Sequence, residues 1–156
     1  HYIVMRGEIV MKIFLQAGVV IAALLFSLPA FSAIQQFNDY SVDLPEGWTV
    51  QRDGITMAFL APDKSAIMMV TVESTAHMMS EGVTVEDLAE AYAEELKGSK
   101  PKMVEPDYYS FTFSSPDGLP SEASIVVSGR RFYLITISGK HKDLAKMVES
   151  VLVSIP

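Results

Sequence analysis

The sequence predicts an α+β fold: a mostly antiparallel sheet of about six to seven strands with helices on its two faces, in the order β-β-β-β-α-β-β-β-α. Three observations carry this. Short strand-like runs are separated by turn signals of hairpin length, among them Asp53-Gly54, Pro116-Asp117-Gly118 and Gly129-Arg130. Two runs, Ile67 to Val72 and Phe132 to Ile137, are apolar almost without a break, as in strands covered on both faces. Two further stretches, from Thr84 and from near Lys142, carry apolar residues at helical spacing.

The chain opens on a stretch that reads as an export leader over residues 1–32. Met11-Lys12 supplies a positive start, Ile13 to Leu28 is apolar except for Gln16 and Ser27, and Pro29 ends the helical tendency. Ala30-Phe31-Ser32 places small residues where a signal peptidase reads them, so a cut after Ser32 is expected. Either Met5 or Met11 fits as initiator, so residues 1–10 read as an over-extended start. The competing reading is a retained membrane anchor, but the apolar run is shorter than the ~20 residues a spanning helix needs. No cysteine is present, so a lipid anchor and a disulfide framework are both excluded.

Residues 33–156 are expected to form one domain. Ala33 to Asn38 is a lead-in, with room for one helical turn. Tyr40, Val42 and Leu44 alternate with Ser41 and Asp43, the period of a half-wet strand. Pro45-Glu46-Gly47 turns the chain, and Trp48 to Val50 restarts an extended run, so residues 40–50 read as a hairpin. Ile55, Met57 and Phe59 make a third strand, and Ile67 to Val72 a fourth. Thr84 is an N-cap with Asp87 as its capping-box partner, and Gly98 after Lys97 is the expected stop. Lys100-Pro101-Lys102 reads as a connector. Strands then follow over 108–114, 122–128 and 131–138, and the last helix runs from about Lys142 with Leu144, Val148, Val151, Leu152 and Ile155 on its packing face.

The net charge of −7 argues against nucleic acid or anionic lipid as a partner, since both call for a cationic face. No stable membrane insertion is expected once the leader is removed.

The run Tyr40-Ser-Val-Asp-Leu-Pro-Glu-Gly-Trp48, following an export leader, resembles the opening of the PsbP/Mog-type α/β/α sandwich, and most closely its bacterial DcrB-like exported members. The resemblance covers nearly all of residues 33–156 in the order of elements, and its motif is the Leu44-Pro45-x-Gly47-Trp48 turn. It implies an accessory or binding role, as in a photosystem extrinsic subunit, a Ran-binding nuclear factor or bacterial envelope proteins. No shared catalytic residue comes with such a fold.

Candidate chemistry is sparse. A nucleophile needs a base held by a third group, and the histidines after the leader are His77 and His141. Ser80 shares a loop with His77 but no Gly-x-Ser-x-Gly elbow occurs, so a small hydrolase rests on proximity in the sequence alone. Glu86, Asp87, Glu90 and Glu94 occupy helix faces that solvation explains. Thioether and imidazole groups at Met69, His77, Met78 and Met79, with Met68 beside them, form a soft donor set suited to Cu(I). Met68 and Met69 must point to opposite faces of a strand, however, and methionine also fills gaps in cores.

Trp48, Tyr108 and Tyr109, with the small basic spot Arg130-Arg131, are the candidate ligand or partner surface. The competing account is that the aromatics are sheet core and the arginines solvate a hairpin end. No cofactor is expected. The sequence thus points to a non-catalytic periplasmic or secreted protein that binds a protein partner in the cell envelope, with Cu(I) binding as the alternative.

Overall fold

A computed structural model describes residues 33–76 and 81–156. The expected leader therefore lies outside the described residues, as do His77, Met78, Met79 and Ser80. Among the described residues nine strands and two helices follow one another. Strands β1 (Ala33–Gln36) and β2 (Ser41–Leu44) form a two-stranded antiparallel sheet. The other strands are β3 (Thr49–Asp53), β4 (Thr56–Leu60), β5 (Ala66–Ser74), β6 (Lys102–Glu105), β7 (Tyr108–Ser114), β8 (Pro120–Ser128) and β9 (Arg131–Gly139). They build one antiparallel sheet of seven in the order β3-β4-β5-β9-β8-β7-β6. Helix α1 (Val85–Glu95) separates β5 from β6, and α2 (Leu144–Ser154) closes the chain.

The two continuously apolar runs lie mid-sheet, as expected. Strands β5 and β9 are third and fourth of the seven and pair from Ala66↔Gly139 to Ser74↔Arg131. Alternate residues of each feed two separate cores, because successive side chains of a strand point to opposite faces. Met69, Phe132 and Leu134 join Leu88, Ala89 and Tyr92 beneath α1. Met68, Tyr133 and Ile135 join Leu144, Met147 and Val151 beneath α2, together with Val42 and Leu44 of the small sheet. Met68 and Met69 thus sit on opposite faces, both buried.

Residues 40–50 do not form the expected hairpin. β2 pairs with β1, the supposed lead-in, and β3 pairs with β4 in the large sheet, so Pro45-Glu46-Gly47 carries the chain from one sheet to the other. The reason lies in α2. Ser150 and Ser154, one turn apart, accept the Asp43 and Ser41 N–H groups through their hydroxyl oxygens at 2.9 and 2.8 Å. The edge of β2 away from β1 is therefore satisfied by a helix and needs no strand. Lys146 adds an ion pair to Asp43 at 3.2 Å. In the β1–β2 turn Asp39 pairs with Arg131 at 2.9 Å, and its carbonyl accepts the Tyr133 hydroxyl at 3.2 Å.

The expected connector after α1 also differs. Lys102 opens β6, a fully exposed edge strand whose register with β7 shifts between Met103 and Glu105. An edge strand whose four residues are all exposed has no buried alternation for a sequence pattern to show.

Candidate functional site

Of the described surface, the place where recognition chemistry converges is the N-terminal end of α1. Thr84 caps the helix: its hydroxyl oxygen accepts the Asp87 N–H at 3.1 Å, and the Asp87 carboxylate accepts the Thr84 N–H at 2.9 Å. This capping box was legible in the sequence. Val83 before the cap and Leu88 at the fourth helical position share the α1-side core, the arrangement of a hydrophobic staple. Together these fix where α1 starts relative to the sheet.

Between that first turn and the β6–β7 turn lies an open groove of about 480 Å³. Its floor is apolar: Val83, Val85, Val127 and the Tyr109 ring are half-buried and pack against the α1-side core. Its rim carries the exposed carboxylates Glu86 and Asp107, and among the described residues no lysine, arginine or histidine lines it. Asp107 is anchored through its backbone, because its carbonyl accepts the Val127 N–H at 2.9 Å. Partial burial, followed by the negative charges of Glu86 and Glu90, pushes the Tyr109 phenol above its ordinary range. It therefore remains a hydrogen-bond donor across the physiological range. Across the ladder Met103 of β6 is the partner of Tyr109. Directly paired residues share a face, so this 62% exposed side chain continues the apolar floor to the sheet edge.

The five sequence candidates for a partner surface separate. Tyr109 lines the groove. Tyr108 points to the other face, its hydroxyl 3.3 Å from that of Ser124. Arg130 is exposed at the β8–β9 turn, where its carbonyl accepts the Thr75 N–H at 2.8 Å, and Arg131 is held in its ion pair with Asp39.

Trp48 is corrected outright: at 1% exposure it belongs to the core under α2 and cannot present a surface. Its ring stands edge-on to His141 at 5.1 Å, and its N–H points to Asp143 at 3.4 Å. Of the soft donor set, Met69 is likewise core, and the other three members lie outside the described residues. Among the described residues no group of three or more His, Asp or Glu is placed to hold a metal ion. Sequence reasoning missed Glu86, Asp107 and Val127 as site residues. Glu86 reads as helix solvation, and Asp107 and Val127 reach the groove only through strand pairing.

Replacing Thr84 with alanine should cost about 1 kcal/mol at neutral pH by removing the cap. The hydrogen bonds from Thr84 hold the Asp87 carboxyl below its ordinary value. A carboxyl lowered in the folded state stabilises above its unfolded pKa of about 4, and that contribution fades as pH falls through the folded value. The Thr84→Ala variant should therefore lose less stability than the parent between neutral pH and about pH 3. Denaturant titration at both pH values checks this; parallel losses would contradict it.

No family model and no curated protein matches the chain. Among solved structures, one similar to it is cyanobacterial PsbP (CyanoP) from Synechocystis sp. PCC 6803, at 13% identity and a TM-score of 0.55, over 81% of this chain and 93% of that one. A Bacteroides thetaiotaomicron protein is similar over 85% of this chain and 47% of its own, at 15% identity and a TM-score of 0.43. The antiparallel sheet with a core on each face agrees with the first of these likenesses: the chain has a PsbP-like fold.

Proposed function

We propose that this protein is a non-catalytic accessory module of the cell envelope, exported by its N-terminal leader, which docks a protein partner at the α1 groove. The observation that carries the reading is the groove itself, a concave apolar floor with a charged rim, bounded by the first turn of α1 and the β6–β7 turn. Such a surface suits protein recognition, where apolar area supplies affinity and rim charge supplies specificity. The PsbP-like fold is consistent with an accessory role, and the leader-like pattern of residues 1–32 suggests the address.

The test uses two purified proteins, the parent and a Tyr109→Ala variant, each immobilised and passed through an envelope extract. One protein should be retained in near-stoichiometric amount by the parent and lost from the variant, and it should rebind when purified. Truncating a central aromatic anchor costs 2 kcal/mol or more at an interface, roughly thirtyfold in affinity. Equal retention by both proteins, or turnover of a substrate by the purified parent, overturns the reading.

A further inference from the structure

We infer that what enters the groove is the side chain of a lysine or arginine carried by the partner. This rests on the docking reading above and names the chemistry of its ligand. Three features converge on it. First, the floor formed by Val83, Val85, Val127 and the Tyr109 ring offers apolar surface of the kind that the methylene stem of a long basic side chain covers. Second, the charges around that floor are all of one sign. Glu86 and Glu90 lie one turn apart on α1, both close enough to raise the Tyr109 phenol, and Asp107 stands opposite on the β6–β7 turn. Among the described residues, no cationic side chain lines the groove to neutralise them. Third, Tyr109 brings an aromatic ring to the groove wall, and a ring attracts an ammonium or guanidinium in addition to the carboxylates.

The helix terminus is the one opposing feature, since the positive end of the α1 dipole disfavours a cation. It is largely answered within the chain. Thr84 and Asp87 exchange the first N–H bonds of the capping box, and Glu86 and Asp87 place two negative charges in the first turn. An anionic ligand would meet those same carboxylates and find no basic partner among the described residues. A purely apolar ligand would leave Glu86 and Asp107 to be desolvated without compensation.

The experiment titrates the full protein with four blocked tripeptides, acetyl-Gly-Xaa-Gly-amide with Xaa as arginine, lysine, norleucine or glutamate, and follows backbone amide shifts of residues 82–86, 107, 109 and 127. The arginine and lysine peptides are expected to shift these amides, with the norleucine peptide at least tenfold weaker and the glutamate peptide inert. Raising the salt from about 0.05 to 0.5 M should weaken the basic peptides severalfold, because exposed charge pairs are screened. A Glu86→Gln, Glu90→Gln double variant should bind them roughly fivefold less well, as expected for two exposed ion pairs. Its thermal midpoint controls for folding.

Norleucine binding as well as lysine, or binding indifferent to salt and to the double variant, overturns the inference. So does failure of every peptide to move the groove amides. In these cases the envelope-extract comparison of parent and Tyr109→Ala still decides the docking reading by itself. A partner lost only from that variant would leave docking standing with the cationic ligand removed.

Discussion

Gly139→Ala is expected to lose about 4 kcal/mol, a large part of the 5–15 kcal/mol that holds a domain of this size folded. Gly139 ends β9 opposite Ala66, with φ at +83°. A Cβ there would lie 2.1 Å from the Ser65 carbonyl oxygen and 3.1 Å from the Ala66 Cα. Both are backbone atoms, and neither is free to retreat. Asp63 accepts the Ser65 N–H at 3.0 Å and the Ser65 hydroxyl at 2.6 Å, while the Ala66 carbonyl accepts the Ala61 N–H at 3.0 Å. Relief must then come from unpairing the end of the β5–β9 ladder, the middle of the sheet.

Gly118 separates the two contributions. It has nearly the same φ, +79°, but open space where a Cβ would stand. Gly118→Ala should lose only the conformational part, about 1–2 kcal/mol. The measurement is denaturant unfolding of both variants, with a lower midpoint at unchanged slope. Equal losses would show that Gly139 does not approach Ser65 as described.

The large sheet was legible because its middle strands are apolar on both faces. Ile67 to Val72 and Phe132 to Ile137 have no wet side, and that pattern already implies a layer above and a layer below. What escaped was set by partners distant in the chain. β2 turns away from β3 because Ser150 and Ser154, more than a hundred residues later, take its backbone N–H groups. A serine in a helix reads as neutral filler, so nothing local announces that role. Gly98 was recognised for the wrong reason. The residue in the left-handed conformation after α1 is Lys97, at φ +54°, whereas Gly98 is held small by Phe111 and the Thr112 carbonyl, each 2.7 Å from where a Cβ would stand.

The site was legible only in part, for a related cause. Tyr109 was picked as an aromatic with a polar tip, and it does line the groove. Tyr109 and its neighbour Tyr108 were indistinguishable by composition, and only the β7–β8 register decides which of them faces α1. Glu86 and Glu90 look like ordinary solvated helix positions until Tyr109 is placed against them.

Trp48→Ala is expected to lose about 3–5 kcal/mol, the usual cost of emptying a large aromatic site in a core. The side chain sits with Leu144 and Met147 where the chain passes from the small sheet to the large one, so its loss opens a cavity that both sheets and α2 border. Trp48→Phe keeps most of the apolar volume and gives up the long N–H contact to Asp143, so it should lose about 1–2 kcal/mol. The pair distinguishes a core tryptophan from a surface one. A partner-contacting Trp48 would weaken docking in both variants while sparing stability. In the observed fold Trp48 lies under α2 and Tyr109 under α1, on opposite faces of the same sheet. Trp48→Phe should therefore hold the groove amides and their response to the arginine peptide unchanged while lowering the denaturation midpoint. A Trp48→Phe variant that kept its midpoint and lost peptide binding would place the site on the α2 face.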